Sequence, residues 1–436
     1  MERNEIINKI GTSEVTAEDV VKAIREKLVT FEELQETGDF KPDKRKRVKE
    51  ILKSYEAEEN AFNSADTLSK LEEFLIKYPN SVYAEEVHSK VFRIKEEQER
   101  ERIGKIEAIK RNINNYTPDE LRKELGESFL RDLCQSLRID YEIVAEYDEP
   151  ELRFCEIIPE SLSEIPPHYT DVFFWGIETS GKSCALSAIL STISKRYVMD
   201  EAANGENFGG EYRDSLVEIF EKSDIGYLPA STSSEQTQYM SFLLRRRGEK
   251  ENKSRKISFF ELSGEVFRYF PSIVRNTPLA EKNRNTRAFR TLELLLSSDN
   301  QKIHFFFIDY NQAVQKSAEQ EKSLKAAAAY FRDNDIFSKK TDAVYVVVTK
   351  ADEISGGDKI TRAEKFLADN FGDFMSIVQS RCKANSVNFD TKIFSIGDVY
   401  FSKICKINRD YAVDIIEDLL DRIKPAEAKW KKYLKS

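Results

Sequence analysis

The stretch Asp171–Ala188 reads DVFFWGIETSGKSCALSA and contains G-x-x-x-x-G-K-S, with Gly176, Gly181, Lys182 and Ser183 at the defining places. Glycines at this spacing let backbone N–H groups turn inward and form a nest for an anion. The lysine supplies a compact positive charge for the β- and γ-phosphates, and the serine hydroxyl is an oxygen ligand for Mg²⁺. The whole loop, Gly176, Ile177, Glu178, Thr179, Ser180, Gly181, Lys182, Ser183 and Cys184, is therefore the first candidate site. Val172–Trp175 ahead of it is an apolar run of strand type, and Ser183–Tyr197 behind it has a helical pattern. The loop is thus predicted between strand and helix, where the helix dipole points at the bound phosphate.

At 436 residues the chain has room for two or three domains of about 150 residues each. Hydrophobic residues make up 40% and charged residues 33%, a composition expected of a soluble globular chain rich in exposed helix. A net charge of −9 counts against a general binder of nucleic acid or of anionic membranes. The N-terminal MERNEIINKIG lacks the apolar core of a secretory signal, and the longest apolar runs, such as Ala343–Val348, are too short to cross a bilayer. Cys134, Cys155, Cys184, Cys382 and Cys405 are scattered, without C-x-x-C spacing. That argues against zinc or a disulfide framework, and predicts a reducing, cytoplasmic setting.

Residues 1–103 read as a helical N-terminal domain. Thr16-Ala-Glu-Asp19 and Thr30-Phe-Glu-Glu33 have capping-box spacing, and Gly38 offers a stop before the charged run KPDKRKRVKEIL. Thr67–Val87 reads as a helical hairpin turning at Tyr78-Pro79-Asn80-Ser81 and resembles one bacterial tetratricopeptide-type unit; a stacked array needs about three. Residues 104–165 read as a connector, with a helix opening at Thr117-Pro118 and closing at Gly126, then a strand pair over Tyr141–Ile158 around Glu149-Pro150. Residues 166–424 form the main domain, and 425–436 a basic tail carrying Trp430 and Tyr433.

Downstream of the loop, Gln238–Arg245 and Lys256–Leu262 read as an antiparallel hairpin whose turn, RRRGEKENKSRK, is a solvated loop tip. Its second strand ends in Glu261-Leu-Ser-Gly264-Glu265, an E-x-x-G that carries weight only through its place at a strand end. Two apolar strands follow, Ile303–Ile308 ending in Asp309, and Ala343–Val348 running into Thr349-Lys350-Ala-Asp352. A carboxylate in such a T-K-x-D suits guanine, which offers N1–H and N2–H₂ together; adenine has no such donor pair, and an unmatched buried acid is costly. A last strand, Lys392–Ile396, leads through Ser395 and Gly397, and Asp410–Ile423 is a closing amphipathic helix.

In this order the motifs resemble the P-loop GTPases of the translation-factor-like class, over about residues 168–424. The phrase T-D-V-x-F-W-G-x-x-x-S-G-K-S also looks like GTPase domains of bacterial conflict or defence systems. The resemblance implies an α/β fold: a P-loop GTPase domain with a mostly parallel sheet and one antiparallel hairpin, preceded by an all-helical N-terminal region. It implies GTP or GDP as ligand and Mg²⁺ as cofactor. Lys182 would serve the phosphates, and Ser183, Glu261 and a first-switch threonine the metal, with Thr232 ahead of Thr237. Gly264 and Glu265 would belong to the second switch, and Thr349, Lys350, Asp352, Ser395 and Gly397 would read the base. Glu265 stands where fast hydrolases of the class place a water-orienting glutamine, so slow turnover is expected, with Arg268 and Arg275 nearby as candidate arginines in cis or across a dimer. The helical region would couple nucleotide state to a protein partner, or build a homodimer. Two other readings stand beside this one: a nucleotide-binding scaffold with little hydrolysis, and an ATPase using Asp309 as metal acid.

Overall fold

The computed structural model describes residues 3–146, 150–154, 158–201, 208–229, 237–310, 314–338 and 340–425, without the side chains of 314–319. Contacts divide the chain into two units, residues 1–111 and 112–436. The first holds α1 (Arg3–Lys9), α2 (Ala17–Arg25), α3 (Phe31–Glu36), α4 (Pro42–Ser64), α5 (Leu68–Lys77) and α6 (Ala84–Arg111). Both expected capping boxes form. The Thr16 hydroxyl accepts the Asp19 N–H at 3.1 Å while Asp19 accepts the Thr16 N–H at 2.9 Å, and Thr30 and Glu33 repeat the exchange. Each cap is worth about 1 kcal/mol. Val20, Leu34, Phe40 and Val48 make one small core. Leu71, Phe74 and Val87 make another, where the hairpin of α5 and α6 closes and Phe62 stacks on Tyr83 at 4.4 Å.

The second unit opens with a single 3-10 turn (Ile113–Asn115), α7 (Pro118–Leu125), α8 (Glu127–Leu137) and α9 (Tyr141–Ala145). This last helix corrects the strand pair expected over Tyr141–Ile158. Asp140 caps it, accepting the Glu142 N–H at 3.0 Å, and Arg131 lies 3.8 Å above the Tyr141 ring. A local cap outweighs a short apolar–acidic alternation. Residues 150–154 are irregular, and the rest of that predicted pair lies outside the described residues.

The strands are β1 (Thr170–Trp175), β2 (Tyr197–Asp200), β3 (Ile225–Tyr227), β4 (Gln238–Arg246), β5 (Arg255–Glu261), β6 (Gln301–Asp309), β7 (Thr341–Thr349), β8 (Asn388–Phe394), β9 (Gly397–Tyr400) and β10 (Ile404–Ile407). Seven form one sheet in the order β2-β4-β5-β1-β6-β7-β8. It is parallel from β5 to β8, and β4 joins β5 and β2 antiparallel. The expected hairpin is thus present, and the edge strand β2, absent from the sequence reading, begins at Tyr197 where the helix read over Ser183–Tyr197 ends. Helices cover both faces, so the central strands are apolar throughout. Phe173 and Trp175 point to one core with Phe260, Phe267 and Phe331, while Val172 and Phe174 point to the other with Ile189, Phe259 and Phe305. A second sheet, β3-β10-β9, is antiparallel and has no counterpart in the sequence reading. Among the described residues no helix is long and apolar enough to cross a membrane, and Cys134, Cys184, Cys382 and Cys405 are free thiols.

Candidate functional site

The motif residues collect at the carboxyl ends of the parallel strands. β1 delivers Gly176, and the helix α10 (Lys182–Arg196) starts at the far end of the loop. The Trp175 indole N–H donates to His304 Nδ1 at 2.9 Å and pins the strand end from which the loop departs. Gly176 has φ +151°, and a Cβ there would stand 2.4 Å from Ser180 Oγ and 2.7 Å from Phe307 O. Gly181 takes φ +87° and Thr179 φ +64°, so the loop turns through left-handed conformations.

Lys182 is buried and donates to the carbonyls of Gly176 and Ile177, at 2.9 Å each. Burial pushes its ammonium down to about 8, against the opposing pull of Glu261 and Glu178. The ammonium is therefore held over the loop by two carbonyl dipoles. The Ser183 hydroxyl donates to Glu261 Oε1, and the Tyr212 hydroxyl donates to Glu261 Oε2 at 2.6 Å. Tyr212, on the helix α11 (Gly210–Glu218), carries no sequence signal for this role. Glu261 is fully buried at the end of β5, opposite Phe174 of β1. A serine hydroxyl touching a carboxylate beside an anion nest is a hard-oxygen donor set, which fits Mg²⁺ completed by nucleotide oxygens and water. Thr232 lies outside the described residues. Thr237 is buried with an unpartnered hydroxyl, one residue before the Gln238 that lies opposite Glu261.

Gly264 packs directly on the loop: a Cβ would meet Glu178 N at 2.2 Å and Ile177 C at 2.6 Å. Glu265 follows at the start of the helix α12 (Val266–Val274), its N–H donating to Ser263 Oγ at 3.3 Å. The Glu178 side chain points outward and pairs with Arg268 of α12 at 3.1 Å.

On the other side, Thr349 donates its hydroxyl to Ser180 O at 3.0 Å, tying β7 to the loop. Lys350 has φ +57° and pairs with the buried Asp309 at 2.9 Å. Ser395 donates to Asp352 Oδ1 at 2.6 Å and accepts the Gly397 N–H at 3.2 Å. These elements surround a cavity of about 660 Å³ lined by Gly181, Cys184, Thr349, Lys350, Asp352 and Gly397, and by two residues the sequence reading missed, Asn114 and Ser402. A larger cavity, about 830 Å³, opens at the amino ends of β1, β6 and β7 beside Asn300 and Arg422 and contains none of the motif residues.

No family model and no curated protein matches this chain. Solved structures do. Nucleolar GTP-binding protein 1 of Plasmodium falciparum is 12% identical, with a TM-score of 0.27, over 59% of this chain and 89% of that one. The GTPase-like domain of S. cerevisiae Ski7 bound to GTP is 15% identical, with a TM-score of 0.28, over 54% of this chain and 44% of that one. Sup35 complexed with GDP is 13% identical, with a TM-score of 0.25, over 55% and 40%. The chain therefore spans less than half of the last two, and similarity at this level carries no argument about activity.

Proposed function

We propose that residues 166–424 are a P-loop GTPase domain: a Mg²⁺-dependent guanine-nucleotide switch with slow intrinsic hydrolysis. One observation carries the reading. Gly181 and Cys184 of the phosphate loop line the same cavity as Thr349, Lys350 and Asp352. A loop suited to phosphates and a carboxylate suited to a guanine edge thus open on one space of nucleotide size. When bound, Mg²⁺ would neutralise charge on the β- and γ-oxygens. Ser183, Glu261 and a first-switch threonine, Thr232 or Thr237, would hold it. Lys182 would exchange two loop carbonyls for phosphate oxygens. Gly264 would present its N–H to the γ-phosphate, with Glu265 beside the attacking water. Asp352, braced through one oxygen by Ser395, keeps the other for the base, and the Lys350 stem would cover the ring while Asp309 holds its ammonium.

The ATPase reading is weaker, because Ser183 bonds to Glu261 and Asp309 is engaged by Lys350. The scaffold reading draws on Glu261 and Glu265, two acids beside the γ-phosphate position, whereas Glu178 points outward to Arg268. In our reading the helical region (1–103) and the connector (104–165) couple nucleotide state to a protein partner or a second copy. A place in bacterial defence or signalling rests on the resemblance of the T-D-V-x-F-W-G-x-x-x-S-G-K-S phrase alone.

Competition binding of a fluorescent GTP analogue tests the reading. The full chain should prefer GTP to ATP, Lys182→Ala should lose both, and Asp352→Asn should lose about 10²-fold for GTP, since two guanine donors lose their charged acceptor. ATP displacing the analogue as well as GTP does would refute it.

A further inference from the structure

Asn114 sits in the 3-10 turn just past Arg111, the last residue of the helical unit, yet it lines the base-side cavity together with Tyr400 and Ser402. Its Oδ1 accepts the Ser402 backbone N–H at 2.9 Å, and the Ser402 hydroxyl donates to the Asn114 carbonyl at 2.6 Å. The segment it holds is an unfavourable piece of backbone. Phe401 and Ser402, the two central residues of the turn between β9 and β10, have φ +54° and +58°. They open the three-residue loop Phe401–Lys403, closed by the Lys403 N–H on Tyr400 O at 3.2 Å. Two successive turn residues of positive φ are ordinarily Asn-Gly or Gly-Gly, since side chains are disfavoured in the left-handed region. Here neither residue is glycine, and the conformation persists because its surroundings fix it.

The same wall is held at a second point. The Tyr227 hydroxyl of β3 donates to the Ile143 carbonyl in α9, and β3 pairs with β10, which pairs with β9. Leu228, also lining the cavity, donates its N–H to Lys403 O at 2.6 Å. The connector thus grips the small sheet at Ser402 and at Tyr227, and the small sheet is one side of the cavity.

We infer that Asn114 is a positioning residue for nucleotide retention: it locks the β9–β10 turn against the bound nucleoside, and guanine-nucleotide release requires the Asn114–Ser402 pair to open. This rests on the guanine-nucleotide reading above. It also gives the helical unit a covalent handle on release, because only Asn112 and Ile113 separate Arg111 from the lock.

The test is release of a fluorescent GDP analogue from the full chain, wild type against Asn114→Ala, Asn114→Asp and Ser402→Ala. Loss of one neutral hydrogen bond predicts release about five- to tenfold faster for Asn114→Ala and for Ser402→Ala. Asn114→Asp keeps the acceptor for the Ser402 N–H and should release near the parental rate. Association passes through the same opening and should be no slower than parental, and GTP-over-ATP preference should stay parental. The urea midpoint of the nucleotide-free chain should fall by no more than one neutral hydrogen bond allows. If wild type retains GDP and Asn114→Ala releases it at the parental rate, the inference falls and the site stands. The inference also falls if Asn114→Ala lowers the urea midpoint beyond that and slows association while weakening retention, since the residue is then merely structural. If wild type takes up no guanine nucleotide, the site reading itself fails.

Discussion

Gly264 leaves no room for a methyl group, and the consequence can be worked from three distances. A Cβ at this position would stand 2.2 Å from Glu178 N, 2.6 Å from Ile177 C and 2.7 Å from Glu178 Cα, where ordinary contact begins near 3.4 Å. All three neighbours are backbone, so no side chain can rotate aside. Gly264→Ala must separate the second-switch turn from the phosphate loop by about 1 Å. Overpacking of this kind costs roughly 1–3 kcal/mol. The displaced segment includes Ile177, whose carbonyl is one of two that hold Lys182. A misplacement of about 1 Å at a reacting centre costs on the order of 10² in rate. Three measurements follow: affinity for a fluorescent GTP analogue, phosphate release at saturating GTP, and urea unfolding. The variant should bind at least tenfold more weakly, turn over about 10²-fold more slowly and lose roughly 1–3 kcal/mol of stability. Gly357→Ala, where a Cβ meets nothing within 4 Å, is the control and should match wild type. A Gly264→Ala protein within twofold of the parent in both affinity and turnover would refute the reasoning.

The lysine supplies a pH prediction. Because burial lowers Lys182 to about 8 from 10.5, the folded chain binds fewer protons than the unfolded one between those values. Its penalty on stability is therefore full below about pH 8 and diminishes as pH rises through that window. A bound triphosphate favours the charged lysine, so GTP affinity should fall as pH rises past about 8, approaching tenfold per unit; equal affinity across pH 7–9 would contradict the proposed phosphate role. Glu265→Gln should raise single-turnover phosphate release several-fold, because an amide can accept from water and donate to the γ-phosphate while removing a charge. A slower variant would make Glu265 itself the water-positioning group.

Much of the architecture was legible because it is encoded over short distances. Thr16–Asp19 and Thr30–Glu33 announce helix starts within four residues, and a buried parallel strand such as Val344–Val348 shows as an unbroken apolar run. What escaped is encoded either weakly or far away. The strands β3, β9 and β10 have three or four residues each, too few for a period to emerge. Asn114 meets Ser402 across 288 positions, and no local pattern foretells that pairing. The misassigned strand pair shows the converse: Asp140 held the cap signal, and the alternation around Tyr141 outweighed it in the reading.

Glu261 shows how tertiary order turns a weak motif into a specific one. E-x-x-G recurs by chance in a chain with this many acids, and Asp309 ends a strand with equal claim to a metal. The sheet separates them. β5 and β6 flank β1 on opposite sides, so both acids are delivered to the same loop. Register sets Glu261 opposite Phe174, where the longer side chain meets Ser183 and is steadied by Tyr212. Asp309 lies opposite Thr349 at the end of β7 and is drawn to Lys350. One acid is therefore held at Ser183 of the loop and the other at Lys350. Under the proposed reading the first would serve the phosphates and the second the base-covering lysine, a division set by strand order and independent of which motif each acid matches.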